Sequence, residues 1–168
     1  MLTIGIDPGT ATTGYGLVRE NEDGSLSAVD YGAILTSNEM PMQLRLLELH
    51  HRLHQILLLH QPSSGAVEKL FFQKNVRTAI AVGQARGVVL LTFAECGITT
   101  AEYTPLEVKQ AVVGYGGADK NQVQQMVRAL LNLPDIPRPD DVADAIAIAI
   151  CHLHYARNQG LYSQEELR

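Results

Sequence analysis

The sequence predicts an α/β layer fold, a mixed five-stranded sheet covered by helices. Three observations lead there. Short apolar strands follow one another at the start of the chain, strands then alternate with helix-length periodic segments, and the last third reads as helices separated by prolines. A length of 168 residues, 46% of them apolar and 18% charged, suits one ordinary globular domain and excludes intrinsic disorder. The longest apolar run, Ala145 to Cys151, is far too short to span a bilayer.

The elements follow in order. Leu2-Thr3-Ile4-Gly5-Ile6-Asp7 alternates and reads as a strand, broken by Pro8-Gly9-Thr10. Gly14 to Val18 is a second strand, Asn21 to Ser25 a turn rich in Asn, Asp and Gly, and Leu26 to Ile34 a third strand, giving an antiparallel meander. Pro41 opens a helix to about Leu59, with Leu44, Leu47, Leu53 and Leu57 at apolar positions. Pro62-Ser63-Ser64-Gly65 ends it, and Gly65 to Glu68 is a short fourth strand. Asn75 to Cys96 is a helix apolar nearly all round, so it must be buried in the core or against another subunit. Ile98 to Tyr103 is the fifth strand, followed by a short helix from Pro105 and a glycine loop at 114–117. Asp119 can cap a helix through Leu131, Pro134, Pro137 and Pro139 stiffen a connector, and Asp140 or Asp141 caps a last helix to about Asn158. Residues 1–158 are expected to form one domain and 159–168 a loose tail.

Charge is unevenly spread. The net charge is −5, yet residues 65–130 carry 7 basic against 5 acidic side chains. The basic residues there are Lys69, Lys74, Arg77, Arg86, Lys109, Lys120 and Arg128. Such a local face can bind phosphate on an acidic protein, because screening limits distant charges. No basic leader is visible at the N-terminus, and Cys96 and Cys151 match no metal or redox spacing, so a reducing cytoplasm is expected.

Four carboxylates stand where solubility does not explain them. Asp7 and Glu68 each end an apolar strand, where ligands gather in sheets covered by helices. Asp141 and Asp144 share one helix face, where like charges repel unless a cation lies between them. Oxygen-only ligation suits Mg²⁺ or Mn²⁺, and two such ions can clamp the attacking and leaving oxygens of a phosphoryl displacement. Each carboxylate also has an ordinary use: Asp7 in a turn, Asp140 and Asp141 as helix caps, Glu68 as an edge charge. His50 and His54 have helical zinc-site spacing but no third ligand beside them, so they read as an exposed face. The hydroxyl-rich loop within Asp7 to Gly16 also resembles the phosphate loops of actin-like ATPases.

Motifs across nearly the whole chain carry a resemblance. They are Ile4-Gly5-Ile6-Asp7-Pro8-Gly9-Thr10, Gly14-Tyr15-Gly16, Glu68-Lys69-Leu70-Phe71 and Gly83-Gln84-Ala85-Arg86-Gly87. Tyr103-Thr104-Pro105 follows, with Val108-Lys109-Gln110, Gly114, Asp119-Lys120, Gln122-Val123 and Asp141-Val142-Ala143-Asp144-Ala145. This ordered set resembles the RuvC family of Holliday-junction resolvases. The resemblance implies an RNase H-like fold with helices on both sheet faces and a homodimeric endonuclease that nicks four-way junction DNA symmetrically. It implies Asp7, Glu68, Asp141 and Asp144 as a metal-binding tetrad, two Mg²⁺ per site with Mn²⁺ able to substitute. Some members have His at the third tetrad position, where this chain has Asp141. Lys109 and Lys120 match lysines near the cut phosphate, and Phe71 matches an aromatic at the opened junction, with Lys74 and Arg77 as further candidate DNA contacts. The partners implied are the RuvA and RuvB branch-migration proteins. Two-metal chemistry would leave 5′-phosphate and 3′-hydroxyl ends, and the helix from Asn75 is the candidate dimer interface. Competing readings are a nuclease for RNA–DNA hybrids, a junction-binding module without catalysis, and an ATPase.

Overall fold

Three strands open the chain as the alternation predicts: β1 (Leu2–Asp7), β2 (Thr12–Glu20) and β3 (Leu26–Leu35) form an antiparallel meander. A computed structural model of the chain describes residues 1–69 and 76–165, without side chains at 76–78 and 158–165. Helix α1 (Met42–His60) then crosses to β4 (Ser64–Glu68), which pairs parallel with β1. Helix α2 (Val76–Glu95) crosses to β5 (Thr99–Tyr103), parallel to β4. The sheet order is β3-β2-β1-β4-β5. Helices α3 (Pro105–Val113), α4 (Lys120–Leu130) and α5 (Asp140–Glu165) follow.

Each sheet face carries its own apolar core, as strand alternation requires. Ile4, Ile6, Leu17 and Val67 point to one side, where Leu49, Leu53 and Leu57 of α1 and Ala85, Val89 and Phe93 of α2 cover them. Val18, Ala66 and Tyr103 belong to the other core, under Val108 and Val112 of α3, Val123 and Val127 of α4, and Val142 to Leu153 of α5. Helix α5 approaches this second face closely. A β-carbon at Gly5 would collide with the Ala145 carbonyl, one at Gly14 with the Asp141 carbonyl, and one at Gly16 would press on Ile146. Glycine is needed at these strand positions because the helix backbone occupies the space of a side chain.

Local signals set the helix starts. Thr104 caps α3 in a reciprocal box with Glu107, and Asp119 caps α4 in another with Gln122. Pro41 itself occupies the N-cap of α1, with no side-chain bond to the first turn. Helix α2 divides between the two expected settings: it buries Ala85, Val89, Thr92 and Phe93 in the core and leaves Ile80 and Leu91 exposed on the single chain. One expectation changes. Helix α5 does not stop near Asn158 but continues to Glu165, so residues 159–165 of the expected tail are helical. It passes through Gly160, since one glycine weakens a helix by only about 1 kcal/mol and does not end it. Among the described residues no helix is long and apolar enough to cross a membrane.

Candidate active site

Strand parity brings the first two carboxylates together. Gly5 and Ala66 are register partners in the parallel β1–β4 pair, and both face α5. Two residues further along each strand, Asp7 and Glu68 therefore emerge side by side on that same face. Asp144 lies on α5 one residue before Ala145, whose carbonyl meets Gly5. Asp7, Glu68 and Asp144 line one cavity of about 190 Å³. Lys109 of α3 and Lys120 of α4 line it too, and Pro105, Val108, Val123, Ala147 and Ile148 complete its walls. Asp141 sits one helical turn before Asp144, at the margin, with its backbone against Gly14.

The electrostatics mark this cavity off from the rest of the surface. Burial first, then the charges of Asp144, Glu68 and Asp141, push the Asp7 carboxyl up to about 7, and Lys120 only partly opposes them. Burial and then Asp144 raise Glu68 against the pull of Lys109. Burial also raises Asp144, despite the bond it accepts from Lys120. The Lys120 ammonium donates to Asp144 at 2.9 Å and lies 3.4 Å from Asp140. Partial burial works against its charge, but Asp144 and Asp140 hold it above its ordinary range.

Asp140 departs from the capping role open to it in the sequence. It is the first residue of α5, and its carboxylate accepts from Arg138 at 2.6 Å and meets Lys120. The basic neighbours win because they carry full charges, whereas the helix N-terminus offers only partial ones. The threonine loop is likewise turned inward. Thr13 donates its hydroxyl to the Gly9 carbonyl at 2.6 Å and Thr36 donates to the Thr10 carbonyl, so the loop closes on itself and does not present Thr13 to a phosphate. His50 binds Thr92 at 2.9 Å and stands 3.7 Å from Glu95, which accounts for it structurally. Phe71 and Lys74 lie outside the described residues; Arg77 is in the first turn of α2, its side chain outside them as well.

The donor set fits a hard divalent cation. Among the described residues every potential ligand lining the cavity is a carboxylate, with no His or Cys. A bound cation would offset the repulsion that raises Asp7. The carboxylates are gathered but not drawn to a single point: among the described residues no three His, Cys, Asp or Glu form a finished metal cluster. Sequence reasoning missed the apolar walls, the Lys120–Asp140 contact and the glycines that admit α5. The last had a visible signal: Gly5 of a strand meets a helix that repeats alanine at 145 and 149, and glycines recur at 14 and 16 of the next strand.

A mixed sheet in this order, with carboxylates at adjacent strand ends and on the helix above them, defines a nuclease of the RNase H-like class. The family model described as crossover junction endodeoxyribonuclease RuvC matches residues 3–152, and the chain belongs to that family. The RuvC endonuclease of Desulfitobacterium hafniense is 60% identical over 154 residues, covering 92% of this chain and 93% of that protein. That of Syntrophomonas wolfei is 55% identical over 157 residues, covering 94% and 91%. The solved structure of T. thermophilus RuvC in complex with Holliday junction substrate superposes with a TM-score of 0.90 at 38% identity, covering 95% of this chain and 96% of that one. The yeast mitochondrial Holliday junction resolvase Ydc2 shares the fold, at a TM-score of 0.69 and 15% identity, covering 95% and 82%.

Proposed function

We propose that this chain resolves four-way DNA junctions by metal-dependent nicking of two opposed strands, with Asp7, Glu68, Asp141 and Asp144 as the metal-holding groups. The observation that carries the reading is the meeting of Asp7, Glu68 and Asp144 with Lys109 and Lys120 in one cavity. Asp7, Glu68, Asp141 and Asp144 would hold two Mg²⁺ ions per site, or Mn²⁺ in their place, which when bound would supply positive charge at the scissile phosphate and acidify the attacking water. Lys109 and Lys120 approach from two different helices and can offset charge that builds on the phosphate oxygens in the transition state. Lys120 must release Asp144 to do so, which couples its use to neutralisation of that carboxylate. Val108, Val123, Ala147 and Ile148 dry the wall behind the reacting group and strengthen these interactions. Cleavage between phosphorus and the 3′ oxygen leaves 5′-phosphate and 3′-hydroxyl ends.

Two such sites are needed for two nicks, and a C₂ homodimer suits a nearly two-fold junction. Helix α2 favours that assembly: Ile80, Gln84, Gly87, Leu91 and Ala94 form an exposed stripe at helical spacing. RuvA and RuvB follow as partners from the family, with Phe71, Lys74 and Arg77 as junction contacts. Residues 1–158 act as one nuclease domain with 159–168 appended to it, in the cytoplasm, where the free Cys96 and Cys151 stay reduced. Incubation with a mobile four-way junction, with and without Mg²⁺ and with products resolved to one nucleotide, tests the reading. Paired symmetric nicks only with Mg²⁺ are expected. Binding without cleavage, or cutting of an RNA–DNA hybrid in preference to the junction, would overturn it.

A further inference from the structure

We infer that Arg86 is a positioning residue for Glu68, holding the end of β4 from the sheet face opposite the active site. The inference rests on the nuclease reading above and deepens it. Arg86 lies on α2, on the side of the sheet that bears Val67 and Phe93. Its Nε donates to the Glu68 backbone carbonyl at 3.4 Å, and its Nη2 reaches Glu102 Oε1 at 2.8 Å. Its side chain is only 17% exposed, so these partners account for a guanidinium largely withdrawn from water.

The location gives the contact its consequence. Glu68 is the last residue of β4, and its register partner on β5 is Tyr103. The Lys69 amide donates to the Tyr103 carbonyl at 2.8 Å, which fixes one side of this strand end. Arg86 engages the Glu68 carbonyl, and Glu102, the next residue back on β5, anchors the guanidinium. Parity puts the Glu68 side chain on the α5 face while Arg86 stays on the α2 face. Arg86 therefore reaches Glu68 through the backbone, and rotation of that peptide would swing the carboxylate out of the cavity it shares with Asp7 and Asp144. Arginine suits this task because its rigid fork can serve a carbonyl and a carboxylate together.

The ion pair and the carbonyl contact can be separated by substitution. Arg86→Met removes both, and Glu102→Gln removes the ion-pair charge alone. Arg86→Glu combined with Glu102→Arg keeps an ion pair of reversed polarity but removes the α2 donor to the Glu68 carbonyl. Each variant is compared with the wild type for melting temperature, junction affinity without divalent ions, and single-turnover cleavage in Mg²⁺ at saturating enzyme. The expectation for Arg86→Met is a saturated rate about tenfold lower with junction affinity unchanged, while Glu102→Gln stays within about twofold of wild type. The reversed pair is expected to regain melting temperature without regaining rate, a split that a purely structural ion pair would not give. Full recovery of rate in the reversed pair, or a wild-type rate in Arg86→Met, overturns the inference. Absence of junction cleavage by the wild-type protein would instead refute the nuclease reading.

Discussion

Under α1 and α2 the sheet presents Ile4, Ile6, Leu17 and Val67 to Leu49, Leu53, Val89 and Phe93, and bulky side chains keep the layers apart. Under α5 it presents Gly5, Gly14 and Gly16 directly to the Ala145, Asp141 and Ile146 region of the helix. The first face is held by apolar area. The second gives up side-chain volume so that the α5 backbone comes down onto the sheet, and that approach lets short aspartate side chains from strand and helix share one cavity. The site therefore depends on close backbone packing as well as on its carboxylates. Both faces carry an apolar core, but only the α5 face also holds mutually repelling carboxylates.

Asp7→Asn is expected to have the largest effect. Cleavage in Mg²⁺ should fall by about three orders of magnitude or more, because the substituted residue is central to the charge cluster. Junction binding should remain near wild type, since affinity comes mainly from basic contacts to phosphate. Parallel gel-shift and cleavage assays check both, and a fully active variant would remove Asp7 from the site.

Glycine replacement compares the faces directly. An added methyl at Gly5 would strike helix backbone at Ala145 and Ala149, whereas at Gly65 it would strike the Phe93 ring on the other face. Backbone can yield only by moving all of α5. Gly5→Ala should cost about 2–3 kcal/mol and Gly65→Ala about 1 kcal/mol less, by denaturant titration. Gly5→Ala alone should also slow cleavage, because it shifts the helix that carries Asp144.

Much of this was legible in the sequence because the informative signals were local. Alternation in 2–7 and 65–68 placed Asp7 and Glu68 at strand ends, and helical spacing put Asp141 and Asp144 on one face. The capping residue Asp119 set the start of α4 and so the position of Lys120. What stayed hidden depended on distant partners. Nothing near Arg86 reveals that Glu102 and the Glu68 carbonyl meet it, and Asp140 looked like a cap until Arg138 and Lys120 were placed beside it. The end of α5 was misjudged because Gly160 is only a weak stop. For helix α2, composition could not say which side faces the core and which is an exposed apolar stripe.

Smaller effects sharpen the account of the charged rim. Lys109→Ala and Lys120→Ala should each lower the saturated cleavage rate about tenfold or more and weaken junction binding less, since charge at a reacting phosphate counts most in the transition state. A loss confined to affinity would make them general phosphate contacts. Asp140→Asn should change the rate by less than about threefold: Lys120 retains its shorter bond to Asp144, and the Asp140 carboxylate is engaged by Arg138. Single-turnover kinetics that place Asp140→Asn alongside Asp7→Asn would instead make Asp140 a ligand.

The α5 face holds carboxylates at an electrostatic cost, and metal-free stability measures that cost directly. The Asp7 carboxyl is raised from 3.8 to about 7 in the folded protein, so the folded state binds the proton more tightly than the unfolded chain. Its stabilising contribution is present below about pH 4 and is lost as pH rises through about 7. The measurement is the difference in unfolding free energy between Asp7→Asn and wild type, in chelator, from pH 4 to pH 8.5. The account predicts a difference near zero at pH 4 that grows in favour of the variant and levels off above about pH 7, at no more than about 4 kcal/mol. A difference that stays flat across this range, or a variant less stable than wild type at pH 8, would contradict it.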